Sequence, residues 1–256
     1  MSLLTVLTQP PRAFTPTRLA GCRAWFAADR LIGFANNDPV GTWTDLSGLA
    51  NHATQATAGR KPTFKTAIQN GRPGILFDAT DDALKIVSNA SLQTAAVTYV
   101  VVCKLVSAAS AIRPVICKVT DGTSFNLNGY QLYFDDVSVN ADLAYQFRDG
   151  AATQNVAVVG AGGTAAMILA ARHNAAGAGA STSELWKNGT RVSQVTTDNA
   201  LVSGTNPIFL GNQVDSGASP SNMYQFEVAL FSRWLADAQL NQLFAYLGSK
   251  WGIVVA

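Results

Sequence analysis

Residues 156–166 read VAVVGAGGTAA, an apolar run followed by Gly160, Ala161, Gly162, Gly163, Thr164 and Ala165, which fits G-x-G-x-x-A. Small residues at that spacing let a backbone turn tightly against a pyrophosphate seated on the N-terminus of the next helix. If this stretch opens a strand-helix-strand unit, the chain is α/β and binds a nucleotide; if it joins two strands, the chain is all-β. The segment that follows, TAAMILAARHNAAGAGAST (164–182), is too short and, after Asn174, too rich in glycine for a crossover helix. Beyond it lies ELWKNGTRVSQV (184–195), where Asn188 and Gly189 supply the positive φ angles of a type I′ turn between strand-forming flanks. The glycines therefore read as a loop between strands.

Working outward, the rest of the chain repeats this grammar. Short apolar or alternating runs such as TWTDLSG (42–48), VTYVVVCKLV (97–106), RPVICKV (113–119), YQLYF (130–134), PIFLGN (207–212) and MYQFEVALFS (223–232) are separated by Gly, Asn, Asp and Pro. That spacing predicts antiparallel β structure. One amphipathic helix is predicted at 236–247, where Leu240, Leu243, Phe244 and Leu247 form an apolar stripe suited to sealing one face of a sandwich. Ala236 precedes Asp237 there, so Asp237 is expected to cap the helix or complement its dipole. No period of 20–50 residues recurs, which argues against solenoids and propellers.

Composition narrows the function classes. The chain has 256 residues, of which 48% are hydrophobic and only 13% charged, about half the usual charged share. One large domain is the expectation at this length, with a neutral surface of hydroxyls and amides. A net charge of +2 with no basic stripe argues against nucleic acid. No apolar stretch is long enough to span a bilayer, and MSLLTVLTQPPRAF lacks the charged and apolar regions of a signal peptide, so folding at the site of synthesis is expected. Cys22, Cys103 and Cys117 cannot all pair within the chain and read as buried thiols, while His52 and His173 stand apart as structural or surface residues.

Residues 1–20 contain Pro10, Pro11 and Pro16, with Arg12 and Arg18 unopposed by any acid, and read as an extended arm ahead of a domain at 21–256. Either the arm is a frayed terminus, or Leu3, Leu4, Val6, Leu7 and Phe14 dock on a neighbouring molecule together with Arg12 and Arg18.

Five segments in order carry a resemblance. They are CRAWFAADRLIG…VGTWTDLSGLANHATQATAGRKPTF (22–64), NGRPGILFDATDDALKI (70–86), the WKNG hairpin, PIFLGN, and QFEVALFSRWLADAQLNQLFAYLGSKWGI (225–253). Together they resemble the laminin-G-like branch of the concanavalin A-like lectin/glucanase superfamily, in the form common in bacterial and phage surface proteins. The resemblance implies a two-sheet antiparallel jelly roll with its inner faces packed as a core. Stacking two sheets is also what many short strands without intervening helices require.

Glycanases of this fold carry an E-x-D-x-E strand whose alternate carboxylates share a face and straddle the sugar bond. This chain has two glutamates, Glu184 before LWK and Glu227 before VAL, and neither starts that motif. Glu227 falls at a structural position of the family and is expected to meet a loop backbone or Arg233. The adjacent pairs Asp81/Asp82 and Asp135/Asp136 point to opposite faces if extended. A calcium site at Asp78, Asp81 and Asp82 is one reading of the FDATDD segment, and turn-capping aspartates are the other. No serine sits on a G-x-S-x-G elbow, so catalysis is not expected. Sugar stacking needs aromatic platforms with polar neighbours, for which Trp43, Tyr130, Tyr133, Tyr145 and Trp186 are candidates, the alternative being core positions.

These features lead to an expected non-catalytic structural protein of a phage virion, made in the host cytoplasm. It would be held in multiple copies by its arm to other virion proteins and would contact a host-surface glycan, with no cofactor unless calcium. The alternative is an exported glycan-binding or adhesion module at the bacterial surface, and a degenerate glycoside hydrolase comes third.

Overall fold

The computed structural model describes residues 13–107, 112–119, 128–135, 142–149, 153–158, 160, 162–174, 181–197, 201, 204–213 and 219–256. In chain order the strands are β1 (Cys22–Ala27), β2 (Thr42–Trp43), β3 (Ala53–Thr54), β4 (Thr63–Gln69), β5 (Arg72–Asp78), β6 (Leu84–Ile86), β7 (Val97–Leu105) and β8 (Arg113–Lys118). They continue as β9 (Asn128–Asp135), β10 (Asp142–Asp149), β11 (Thr153–Val158), β12 (Met167–Asn174), β13 (Ser181–Lys187), β14 (Thr190–Thr197), β15 (Ile208–Leu210) and β16 (Asn222–Phe231). The helix α1 (Asp237–Trp251) follows. One sheet runs β14-β13-β12-β7-β16-β5-β4, with β1 also paired to β16, and the other runs β11-β10-β9-β8-β15-β6-β3-β2. The pairings between these strands are antiparallel, so the all-β jelly-roll sandwich read from the sequence is the fold.

The stretch at 156–166 takes the second of its two readings. Val156–Val158 close β11 at the edge of one sheet, and Met167 opens β12 in the middle of the other. Gly160 has φ of +67° and donates its N–H to Asp142 Oδ1 at 2.8 Å, and no helix intervenes among the described residues. The glycines thus carry the chain from one layer to the other. The WKNG turn has the expected form, with φ of +48° at Asn188 and +88° at Gly189.

The apolar run of β7 is continuous because both of its faces are covered. Val97, Tyr99, Val101, Cys103 and Leu105 face the opposite sheet, whereas Val100 and Val102 meet α1 residues Leu240, Leu243, Phe244 and Leu247. The helix therefore adds a third layer over the first sheet, as its stripe predicted, and extends four residues further to the buried Trp251. Its N-cap is Ala236, whose N–H donates to Gln239 Oε1 at 3.1 Å, while Asp237 pairs with Arg172. Gly252 ends it in the left-handed conformation at φ +66°.

Residues ahead of position 21 also pack on the sandwich. The Phe14 ring packs on Tyr246 of α1 with centroids 5.5 Å apart, Pro16–Arg18 form a 3₁₀ turn, and Leu19 is buried. Phe14 is thus half-buried against its own chain, and Arg18 is exposed. Leu3, Leu4, Val6, Leu7 and Arg12 lie outside the described residues.

Candidate functional site

The two glutamates are structural anchors. Glu227, on β16, is 1% exposed and accepts the indole N–H groups of Trp25 at 2.7 Å and Trp251 at 2.8 Å. It also accepts the Tyr246 hydroxyl at 3.2 Å and pairs with Lys250 Nζ at 2.7 Å. These partners, and not Arg233, are what the position serves: one carboxylate ties β1 and α1 to the central strand. Burial, and then the charge of Glu227, push the Tyr246 hydroxyl far up from its ordinary value. Glu184, on β13, accepts Arg172 Nε at 2.7 Å, Trp186 Nε1 at 2.8 Å and Arg191 Nη1 at 3.0 Å. Each carboxylate is spent on fixed partners, an arrangement unlike an acid poised over a sugar bond.

The W-x-D-L-S-G-x-x-N-H stretch is a loop clamp. Asp45 accepts N–H bonds from Trp25, Ser47 and Asn51 at 2.8–2.9 Å, and its own N–H donates to His52 Nδ1 at 3.0 Å. The three candidate metal ligands do come together, with one carboxylate oxygen from each of Asp78, Asp81 and Asp82 within 4.8 Å of the others. Asp82 accepts the Asp78 N–H at 3.0 Å, Asp78 accepts the Thr80 N–H at 2.9 Å, and Asp81 pairs with Arg60 at 3.7 Å. Those bonds are the turn-capping geometry expected of an Asp-rich corner. Burial first, and then Asp78 and Asp81, push the Asp82 carboxyl up to about 7.

The five aromatic candidates are not platforms, and this corrects the expectation. Trp43 and Tyr145 are fully buried, and Tyr130, Tyr133 and Trp186 are at most 7% exposed. Trp43 packs on Phe26, Tyr130 stacks on Tyr99, and Trp186 lies between Phe244 and the Arg172 guanidinium. Their size made them serve the core, where large rings remove the most surface from water. Cys103 and Cys117 are free and buried as expected, whereas Cys22 is free and only partly buried; burial pushes Cys22 and Cys103 up to about 12. His173 is buried, which pushes it down to about 4, and accepts the Leu201 N–H at its Nε2.

What the sequence reading missed is a cleft at the β2–β3 end of the second sheet. Thr42, Thr54, Lys85, Phe209, Cys117, Gln131 and Gln146 stand in register across that sheet, on the face away from the core. The middle of this row is closed, since Phe209, Cys117 and Gln131 are buried and Gln213 Nε2 donates to Gln131 Oε1 at 2.8 Å. At the β2–β3 end the row is open. There Thr42, Thr44 and Thr54 line an open cleft of about 820 Å³ together with Leu31, Ile32, Phe34, Arg30 and Lys61. A second hollow of about 280 Å³ shares Thr54 and is lined by His52, Val87 and Ser88. Ile32 is 93% and Val87 66% exposed, and apolar side chains left in water mark contact surfaces. The Ser88 hydroxyl is buried without a hydrogen-bond partner. The one available signal was the Thr-Trp-Thr alternation: once Trp43 points inward, Thr42 and Thr44 must point out.

No protein-family model matches the chain, nor does any curated protein at the sequence level. Solved structures do match. The CBM40 domain of Ruminococcus gnavus IT-sialidase, bound to α2,3-sialyllactose, aligns with a TM-score of 0.54 at 14% identity over 70% of this chain and 98% of that one. Domain 4 of AbnA, a GH43 extracellular arabinanase from Geobacillus stearothermophilus, in complex with arabinotriose, aligns with a TM-score of 0.60 at 11% identity over 87% and 97%. Trypanosoma rangeli sialidase aligns with a TM-score of 0.59 at 14% identity over 91% of this chain and 33% of that enzyme. At these identities the likeness is one of fold: the chain is a two-sheet antiparallel jelly-roll sandwich.

Proposed function

We propose that this chain is a glycan-binding domain that holds a sugar chain in the cleft at the β2–β3 end and does not cleave it. The observation that carries the reading is the lining of that open cleft, which combines threonines with apolar Leu31, Ile32 and Phe34. Sugars need this pairing, because their C–H faces seek apolar surface and their hydroxyls seek hydrogen-bond partners. The similar folds that carry sialyllactose and arabinotriose lend the reading support. The fixed partners of Glu184 and Glu227 support binding without hydrolysis.

Thr54 is exposed and lines both hollows, so Thr54→Arg is expected to block both while leaving the fold intact. Glycan-array binding by the wild type, lost in T54R at unchanged Tm, is the expected result. Array binding that T54R leaves untouched, or glycan hydrolysis that disappears in E184Q or E227Q, would overturn the proposal.

A bacterial surface or a phage particle would each employ such a domain, and residues 1–12 are the tether we assign to the particle. Deleting them leaves Phe14 on Tyr246, so glycan binding and Tm are expected to persist while incorporation into a multicopy assembly is lost. Assembly that survives the deletion removes the particle reading and leaves the bacterial one.

A further inference from the structure

We infer that the glycan taken by this cleft is acidic, with a sugar carboxylate held between Arg30 and Lys61; the inference rests on the proposed glycan-binding role and names its ligand class. Two cations line the cleft and no carboxylate does. Neither cation has an ion-pair partner among the described residues, and the reason is visible in their neighbours. Asp29, next to Arg30 in sequence, is taken by Lys250 at 2.8 Å and Arg72 at 3.0 Å. Asp81 is taken by Arg60, next to Lys61. Both nearby acids are thus committed elsewhere, and Arg30 and Lys61 are left as two unopposed charges at one slot.

Lys61 is also positioned, not merely present. A Cβ placed on Gly41 would meet Lys61 Cε at 3.2 Å and Nζ at 3.3 Å, so the bare glycine backbone of the cleft provides the space where the ammonium lies. Arg30 is exposed and presents a planar fork of donors, the geometry that matches a carboxylate in two parallel bonds. A sugar acid fits the whole lining: its carboxylate bridges Arg30 and Lys61, its hydroxyls meet Thr42 and Thr44, and its C–H face lies on Leu31 and Phe34.

The test is calorimetric titration of the full chain with a uronate oligomer and a sialyl oligosaccharide, each beside its carboxyl-reduced alcohol, and with a sulfated form of the reduced uronate chain. At least one acid is expected to bind about ten-fold or more tightly than its reduced form, as a charge-assisted bond requires. That affinity is expected to fall with added salt, and to fall about ten-fold in the R30Q/K61Q variant at unchanged Tm. Equal binding of acid and alcohol, insensitivity to R30Q/K61Q, or preference for the sulfated chain overturns the inference; if T54R still abolishes that binding, the glycan-binding reading survives. If no sugar binds, charged or neutral, both fall.

Discussion

At the scale of the residue, buried carboxylates with several partners each tie distant parts of this fold together. Glu227 is the densest case: Trp25 lies 202 positions before it and Trp251 24 after, yet both indoles close on its carboxylate. E227A leaves Lys250 and two indole donors without that acceptor and is expected to cost about 3–5 kcal/mol in urea unfolding; a loss under about 1 kcal/mol would contradict the anchoring role. A structural role for this glutamate was legible in the sequence, whereas its partners were not, because nothing local links residues so far apart. Two buried titrating groups set opposing pH trends. Asp82 is raised from 3.8 to about 7, so the native state holds its proton better than the unfolded chain; its stabilising contribution is complete below about pH 3.8 and lost as pH rises through about 7. His173 is lowered from 6.5 to about 4, so its contribution is complete above about pH 6.5 and lost as pH falls through about 4. The trends offset one another in the wild type. D82N removes the first, and its unfolding free energy is expected to drop more steeply than the wild type's between pH 6.5 and 4.5; parallel profiles would show that Asp82 does not titrate in this range.

At the scale of the element, local signals and long-range packing divided the work. The WKNG turn and the stripe on α1 could be read directly, because each is written within a dozen residues. Sheet order could not, since β16 pairs with β7, β5 and β1, strands brought together only by the global topology. The same limit hid the cleft, whose lining comes from residues 30–34, 41–46 and 54–61, three segments with no shared period. The aromatic candidates illustrate the reverse error: a tyrosine on an alternating strand has the same sequence signature inside and outside until the facing sheet is known. Gly211 tests the packing between elements. It has φ of +75°, and a Cβ there would fall 2.0 Å from the Phe77 ring at the heart of the core. G211A is expected to cost about 3 kcal/mol or more, read as a lower urea midpoint with no change in slope. A midpoint equal to the wild type's would mean that β15 and β5 do not approach as described.

At the scale of the whole molecule, three layers bury two apolar faces of one sheet and a single face of the other, which leaves the outer face of the second sheet without a helical layer over it. Loops close the centre of that face, and the open β2–β3 end combines hydroxyls, apolar surface and unopposed positive charge. Among the described residues, both glutamates are committed to internal contacts, and Cys103 and Cys117 are buried. The proposed glycan binding therefore belongs at this end. Its most direct measurement is a two-dimensional amide NMR titration of the chain with an acidic oligosaccharide. The account predicts shifts concentrated at Arg30–Phe34, Thr42–Thr44, Thr54 and Lys61, with signals from α1 unmoved; shifts confined to α1 or to the opposite edge of the sandwich would contradict it.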